Sequence, residues 1–186
     1  MSEAYPALSG RGAFNAPRAT HVYTAADVAE ILAFASDRGV RVIPELDAPG
    51  HTTSWFAGYP HLKTSCPGLP AGGFYPPMYP ISPAVDQFIS TLVHEVNRKF
   101  VDEFMHVGGD EVNGDCWLKN ATIVEFMKTH GLKDAAALQA TFEAKLLKVN
   151  AEDGRRSIIW QESASLQAPR DCSPVSPRSK VTRPHR

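Results

Sequence analysis

At 186 residues, 43% of them hydrophobic and 21% charged, the chain has the makeup of a soluble globular domain long enough to bury a sizeable core. Its formal net charge of −1 gives no general reason to expect nucleic acid, an anionic membrane or a strongly charged substrate as partner. No stretch approaches the run of about 18 apolar residues that a membrane helix needs, and the opening MSEAYPALSG lacks the charged start and apolar block of a signal peptide.

Residues 1–23 are rich in Gly, Pro, Ser and Asn, follow no helical or strand period, and read as loop. Thr24 with Asp27 three residues on is a helix-start signature, and Val28, Ile31, Leu32 and Ala35 then share one face until Gly39 stops the helix. VRVIPELDAPGH follows at once, a β-branched run ending in Asp, Pro and Gly, as a buried parallel strand entering a loop would. After a loop over about 57–83, Ser82 offers an N-cap and Pro83 a first-turn proline. Val85, Phe88, Ile89, Leu92, Val93 and Val96 recur behind them at helical spacing.

A second strand, EFMHVGG, comes next, then a short helix near 120–130 and a longer one over 134–150 with Leu138, Phe142, Leu146 and Val149 on one face. SIIWQE reads as a third strand. Helix and strand alternating three times imply an α/β fold of parallel strands, either a (β/α) barrel or an open doubly wound sheet. From Leu166 the composition shifts to Pro169, Pro174, Pro177 and Pro184 with five Lys or Arg against a single acid, Asp171. A folded domain over 1–165 and a disordered basic tail over 166–186 are therefore expected. Cys66, Cys116 and Cys172 are too few for a disulfide scaffold and form no CxxC pair, leaving one disulfide with a free thiol, or three thiols.

Polar residues gather where each predicted strand meets its loop: Glu45, Asp47 and His51, then Asp110 and Glu111, then Trp160 and Glu162. In parallel α/β folds those carboxyl ends form the mouth where ligands bind. The most pointed string is His106-Val107-Gly108-Gly109-Asp110-Glu111. Its glycines let backbone and ligand approach closely. Its adjacent carboxylates oppose each other's ionisation, which favours one proton kept for acid chemistry. Read alone, the same string is also an ordinary turn.

Three blocks in register, PELDAPGHTTSW (44–55), FMHVGGDEVNGDCW (104–117) and IIWQE (158–162), resemble the family 20 glycoside hydrolases, the β-N-acetylhexosaminidases. The likeness runs from about Tyr5 to Ser163 and leans toward the eukaryotic lysosomal or secreted members. It implies a partial TIM (β/α)8 barrel with about three of the eight strands present. It also implies hydrolysis of terminal non-reducing N-acetylhexosamines by a retaining, substrate-assisted mechanism in which the 2-acetamido oxygen is the nucleophile. By resemblance Asp110 orients the acetamido group and Glu111 is the general acid and later base. His51 is the histidine beside the acid, and Trp160 is a wall of the acetamido pocket. Trp55 and Trp117 are left as packing residues.

The resemblance further implies a Cys66–Cys116 disulfide, no cofactor and no metal, β-linked N-acetylglucosamine or N-acetylgalactosamine glycans as substrates, and pairing of full-length copies. Asn120-Ala121-Thr122 is an N-glycosylation sequon, in keeping with a lysosomal or extracellular setting. The family's first two strands, with a sugar-binding arginine and an aspartate near the acid, and its later strands are expected outside this sequence. The isolated chain is accordingly expected to be poorly stable and weakly active or inactive, with strand edges exposed. Two alternatives remain: a catalytically impaired carbohydrate-binding fragment, and a metal-dependent hydrolase using His51, His106, Asp110 and Glu111 as ligands.

Overall fold

Three short parallel segments frame the fold in the computed structural model, which describes residues 2–14, 21–69 and 75–166. Strand β1 (Phe104–His106) pairs in parallel with β2 (Arg156–Ile158), Phe104 opposite Arg156 and His106 opposite Ile158. Along the other edge of β1, the strand expected from VRVIPEL reduces to one parallel bridge between Glu45 and His106. The His106 N–H donates to the Pro44 carbonyl and the Leu46 N–H to the His106 carbonyl, each at 2.9 Å. Pro44 has no N–H of its own to extend that ladder. The third expected strand stops at Ile158, because Gln161–Leu166 turn into a helix, α7.

Of the helices, α2 (Ala25–Ser36) begins as its sequence predicts: Thr24 and Asp27 complete a reciprocal capping box. Its apolar side is less well covered than the pattern implies. Ala35 is its one buried residue, whereas Ile31 and Phe34 stand 41% and 59% exposed along an open groove of about 640 Å³. Helix α3 (Pro83–Lys99) takes Pro83 into its first turn, but the Ser82 side chain makes no capping bond. Its face of Val85, Phe88, Ile89, Leu92 and Val93 is buried against Met105, Val107 and, from α6 (Ala135–Glu152), Phe142 and Leu146. Each such side chain stabilises the fold by about 2 kcal/mol. Arg155 closes the far end of α3 by donating to the carbonyls of Asn97 and Phe100 at 2.8 and 3.1 Å.

The amino-terminal stretch departs from the loop expected for 1–23, because Ala7–Gly12 form a short helix, α1. Tertiary contact holds it where periodicity does not. Tyr5 rests on the rings of Phe88 and Tyr59, with centroids 4.2 and 5.4 Å away. Just before it, Ser2 Oγ and the Glu3 N–H donate to the buried Glu95 carboxylate at 2.5 and 2.6 Å, and Lys99 Nζ lies 2.6 Å from the same group. Burial pushes the Glu95 carboxyl up, but Lys99 and these donors outweigh it and hold the group at about 2.

Two smaller helices lie between β1 and α6. Helix α4 (Gly114–Leu118) buries Trp117, whose indole N–H donates to the Met78 carbonyl at 3.1 Å. Trp55 packs near Phe88, ring centroids 5.9 Å apart, so both tryptophans left as packing residues pack. Helix α5 (Ala121–Thr129) is capped by Asn120, whose Oδ1 accepts from the N–H groups of Thr122 and Ile123. A disulfide joins Cys66 to Cys116 at the start of this region. Leu166 is the last residue of α7, and 167–186, the rest of the expected basic tail, lie outside the described residues.

Candidate active site

The carboxyl ends of the three parallel segments converge. From the first come Asp47 and His51, from β1 the turn Gly108-Gly109-Asp110-Glu111, and from β2 the residues Trp160 and Glu162. His51 is the hub. Its Nδ1 lies 2.5 Å from Asp47 Oδ2 and 3.7 Å from Asp110 Oδ1, while its Nε2 lies 3.3 Å from Glu111 Oε2. The hydrogen bond to Asp47, reinforced by the nearby Asp110 and Glu111 carboxylates against a desolvation penalty, raises the His51 pKa and favours the imidazolium.

Asp47 serves two loops at once. Its second oxygen, Oδ1, accepts the Gly109 N–H at 2.9 Å. A Cβ at Gly108 would sit 2.0 Å from that same oxygen, so glycine is required there sterically as well as by its φ of +65°. Gly109 is equally hemmed in, with φ +97° and a Cβ position 2.1 Å from Ser163 Oγ. His51 and Glu111 hold φ of 50° and 51°, a left-handed conformation rare for residues with side chains and concentrated at functional sites.

The two carboxylates occupy different surroundings. The Glu111 side chain is 73% exposed and that of Asp110 25% exposed. Asp110 Oδ1 is buried, 3.7 Å from His51 Nδ1, and accepts no hydrogen bond among the described residues. The Glu111 N–H donates to Glu162 Oε2 at 2.8 Å, tying the loop after β1 to the start of α7. Asp110, Trp160, Gln161, Glu162 and Ser165 line one open cleft of about 390 Å³. The indole of Trp160, 46% exposed, stands over His106 with ring centroids 4.8 Å apart. An apolar face and a carboxylate acceptor thus border the same space.

The ligand-capable side chains that the described residues bring together are Asp47, His51 and Asp110, with atoms within 4.8 Å of one another. The set expected for a metal-dependent alternative differs: His106 Nδ1 instead accepts the Gly108 N–H at 3.1 Å. His51 Nδ1 is bound to Asp47 and its protonation is favoured, which opposes metal ligation. Cys66–Cys116 and Asn120 lie in the supporting scaffold rather than in this cluster.

Two features escaped the sequence reading. Asp47 was one polar loop residue among several, with nothing in its spacing to mark it as the bridge between His51 and Gly109. Gln139 and Glu143 sit under the turn: Gln139 Nε2 donates to the Gly109 carbonyl at 2.7 Å. Their signal was an i, i+4 polar pair set beside Leu138 and Phe142 on the buried face of α6.

The catalytic-domain model of glycosyl hydrolase family 20 matches residues 1–178 of the chain. The β-hexosaminidase α subunit of Rattus norvegicus is 40% identical over 159 residues, 85% of this chain and 30% of that protein. The β subunit from Homo sapiens is 37% identical over 170 residues, 87% of this chain and 29% of that protein. Among solved structures, a chitobiase from Flavobacterium johnsoniae superposes with a TM-score of 0.77 at 30% identity, covering 88% of this chain and 25% of the other. A β-N-acetylhexosaminidase from Bacteroides fragilis gives 0.75 at 29% identity, covering 88% and 33%. The chain spans about 30% of the length of the curated relatives it matches.

Proposed function

The chain belongs to glycosyl hydrolase family 20, and from that footing we propose that it carries part of a β-N-acetylhexosaminidase active site that releases terminal β-linked N-acetylhexosamines with the substrate's own acetamido group as nucleophile. The observation that carries this reading is the contact of His51 Nε2 with Glu111 at 3.3 Å, beside a cleft lined by Asp110 and Trp160.

In this reading the Asp110 carboxylate takes the acetamido N–H and turns the carbonyl oxygen toward the anomeric carbon. That oxygen forms the new bond to carbon as the glycosidic C–O bond breaks, and Glu111 delivers its proton to the departing oxygen. The nucleophile is held within the same sugar, so little orientational entropy is lost on approach. Asp110 then offsets the positive charge of the oxazolinium ring. The Glu111 carboxylate takes a proton from water, which opens the ring from the face the aglycone left, so configuration is retained. Trp160 offers its flat face to the acetamido methyl group. His51, held by Asp47, supplies positive charge beside Glu111 and supports its ionised form after proton transfer.

We extend the proposal to the architecture. The parallel α/β segment is about three strands of a (β/α)8 barrel, and neighbouring strands of a longer protein would cover the exposed side of α2. Pairing of full-length copies belongs to the same proposal. A lysosomal or extracellular setting is supported by the Cys66–Cys116 bridge, which forms in oxidising compartments. Asn120 is the glycosylation acceptor in this scheme.

Turnover of an aryl N-acetyl-β-glucosaminide, abolished by Glu111→Gln, tests the reading. One observation favours a second reading, a carbohydrate-binding fragment without turnover: the cleft is open, with Glu111 and Trp160 73% and 46% exposed. Saturable binding of the sugar with no product release would select it.

A further inference from the structure

Under the turn that bears Asp110 and Glu111 lies a carboxylate to which the chemistry above gives no task. Glu143, halfway along α6, is 2% exposed. A carboxyl group removed from water is costly unless its partners compensate, so packing alone does not explain its presence. Its Oε1 accepts from Gln139 Nε2 at 2.7 Å and lies 3.1 Å from Ser163 Oγ. Each of those partners also reaches the turn. Gln139 Nε2 donates its other hydrogen to the Gly109 carbonyl at 2.7 Å, and Ser163 Oγ lies 3.3 Å from the Gly108 carbonyl.

The turn needs such support. Gly108 and Gly109 take φ of 65° and 97° without steric cost, but Glu111 at 51° is a non-glycine residue in left-handed backbone, which persists only where its surroundings over-determine it. Its N–H groups are held from one side, Gly109 by Asp47 and Glu111 by Glu162. The Gly109 carbonyl is held by Gln139, while the single Ser163 hydroxyl hydrogen serves either the Gly108 carbonyl or Glu143. Glu143 joins those two holders to each other.

We propose that Glu143 is a positioning residue for the catalytic turn, a strut from α6 that sets the backbone from which Asp110 and Glu111 project. Its consequence for turnover rests on the hydrolase reading, but its consequence for the turn does not. A displacement of about 1 Å in the acid is enough to cost one to two orders of magnitude in rate.

The test is residue-resolved amide hydrogen exchange on the full chain, with Glu143→Leu and Glu143→Gln compared against the parent. Leucine removes the acceptor, so exchange at the Gly109 and Glu111 amides accelerates about tenfold or more while α3 amides keep their parent rates. Glutamine keeps an acceptor oxygen in place and restores most of the protection. Unchanged exchange at Gly109 and Glu111, or an acceleration shared equally by α3, overturns the proposal. If Glu143→Leu does not fold, Gln139→Met cuts the same link at nearly constant volume, and unaltered turn exchange in that variant is equally fatal. With an aryl N-acetyl-β-glucosaminide, Glu143→Leu lowers kcat about tenfold to a hundredfold and leaves KM within about twofold. An unchanged kcat overturns the assignment. A parent chain that gives no turnover selects the binding-fragment reading instead, and the exchange rates then decide the strut.

Discussion

His51 and Glu111 meet at 3.3 Å, Nε2 to Oε2, and each is a non-glycine residue with φ near +50°. Two left-handed residues on separate loops therefore face each other across the candidate site. Such conformations cost of order 1–3 kcal/mol each, and here that strain accompanies a charge contact that ordinary backbone would not aim.

Glu111→Gln keeps the shape of the side chain and removes its proton. Turnover of an aryl N-acetyl-β-glucosaminide is expected to fall by about 10²–10⁴. The melting temperature should stay close to the parent value, because the Glu111 side chain is 73% exposed. Activity surviving this substitution would refute the assignment of the acid.

The His51 pKa is raised above 6.5, chiefly by its bond to Asp47. The sign follows from linkage: a raised folded-state value contributes stability that is complete below the unfolded value and is lost as pH rises through the folded one. Asp47→Asn should therefore move the His51 titration, followed by NMR of the imidazole, down toward the ordinary histidine range. It should also narrow the pH range over which the 47–51 loop is stabilised. A titration curve that does not move would show that Asp47 is not the main partner.

At Gly109 an added Cβ would lie 2.1 Å from Ser163 Oγ and 2.8 Å from Glu143 Oε1. Gly109→Ala is expected to destabilise the fold by about 2 kcal/mol or more, since a close clash adds to the left-handed penalty. Gly131 has φ +67° and open space around it, so Gly131→Ala should cost only about 1 kcal/mol. Denaturant midpoints of the two variants give the comparison, and equal losses would contradict the clash.

The Cys66–Cys116 bridge closes a span of 50 residues. Chain-entropy reasoning for a loop of that length gives a stabilisation of about 4 kcal/mol. Reduction, or Cys66→Ser with Cys116→Ser, should lower the free energy of unfolding by an amount of that order in urea titrations. A loss near zero would mean that the open chain already holds these loops together.

The legible parts of the fold were those set by local rules. Thr24 and Asp27 marked the start of α2, and the spacing of Val85, Phe88, Ile89, Leu92 and Val93 marked the buried face of α3. Helix α1 was not legible, because Tyr5 and its contacts with Tyr59 and Phe88 decide it over long range. The strand expected over 40–46 shortens to one bridge: β-branched residues favour extension, but Pro44 limits the ladder. At the candidate site, Asp110, Glu111, His51 and Trp160 stood out in the sequence by strand-end position and family blocks. Asp47 and Glu143 did not, since a polar side chain that works by holding backbone looks in sequence like any other loop or helix polar residue.

The Glu95 carboxyl, held at about 2 by Lys99, Ser2 and the amides of Glu3 and Ala4, carries a consequence for acidity. Its stabilising share is present above the ordinary value of 4.5 and drains only as pH falls from there to about 2. At mildly acidic pH, then, where most surface acids have begun to take up protons, this internal anion keeps residues 2–4 latched to α3. Acid tolerance at the amino terminus is in that sense built from a single buried charge.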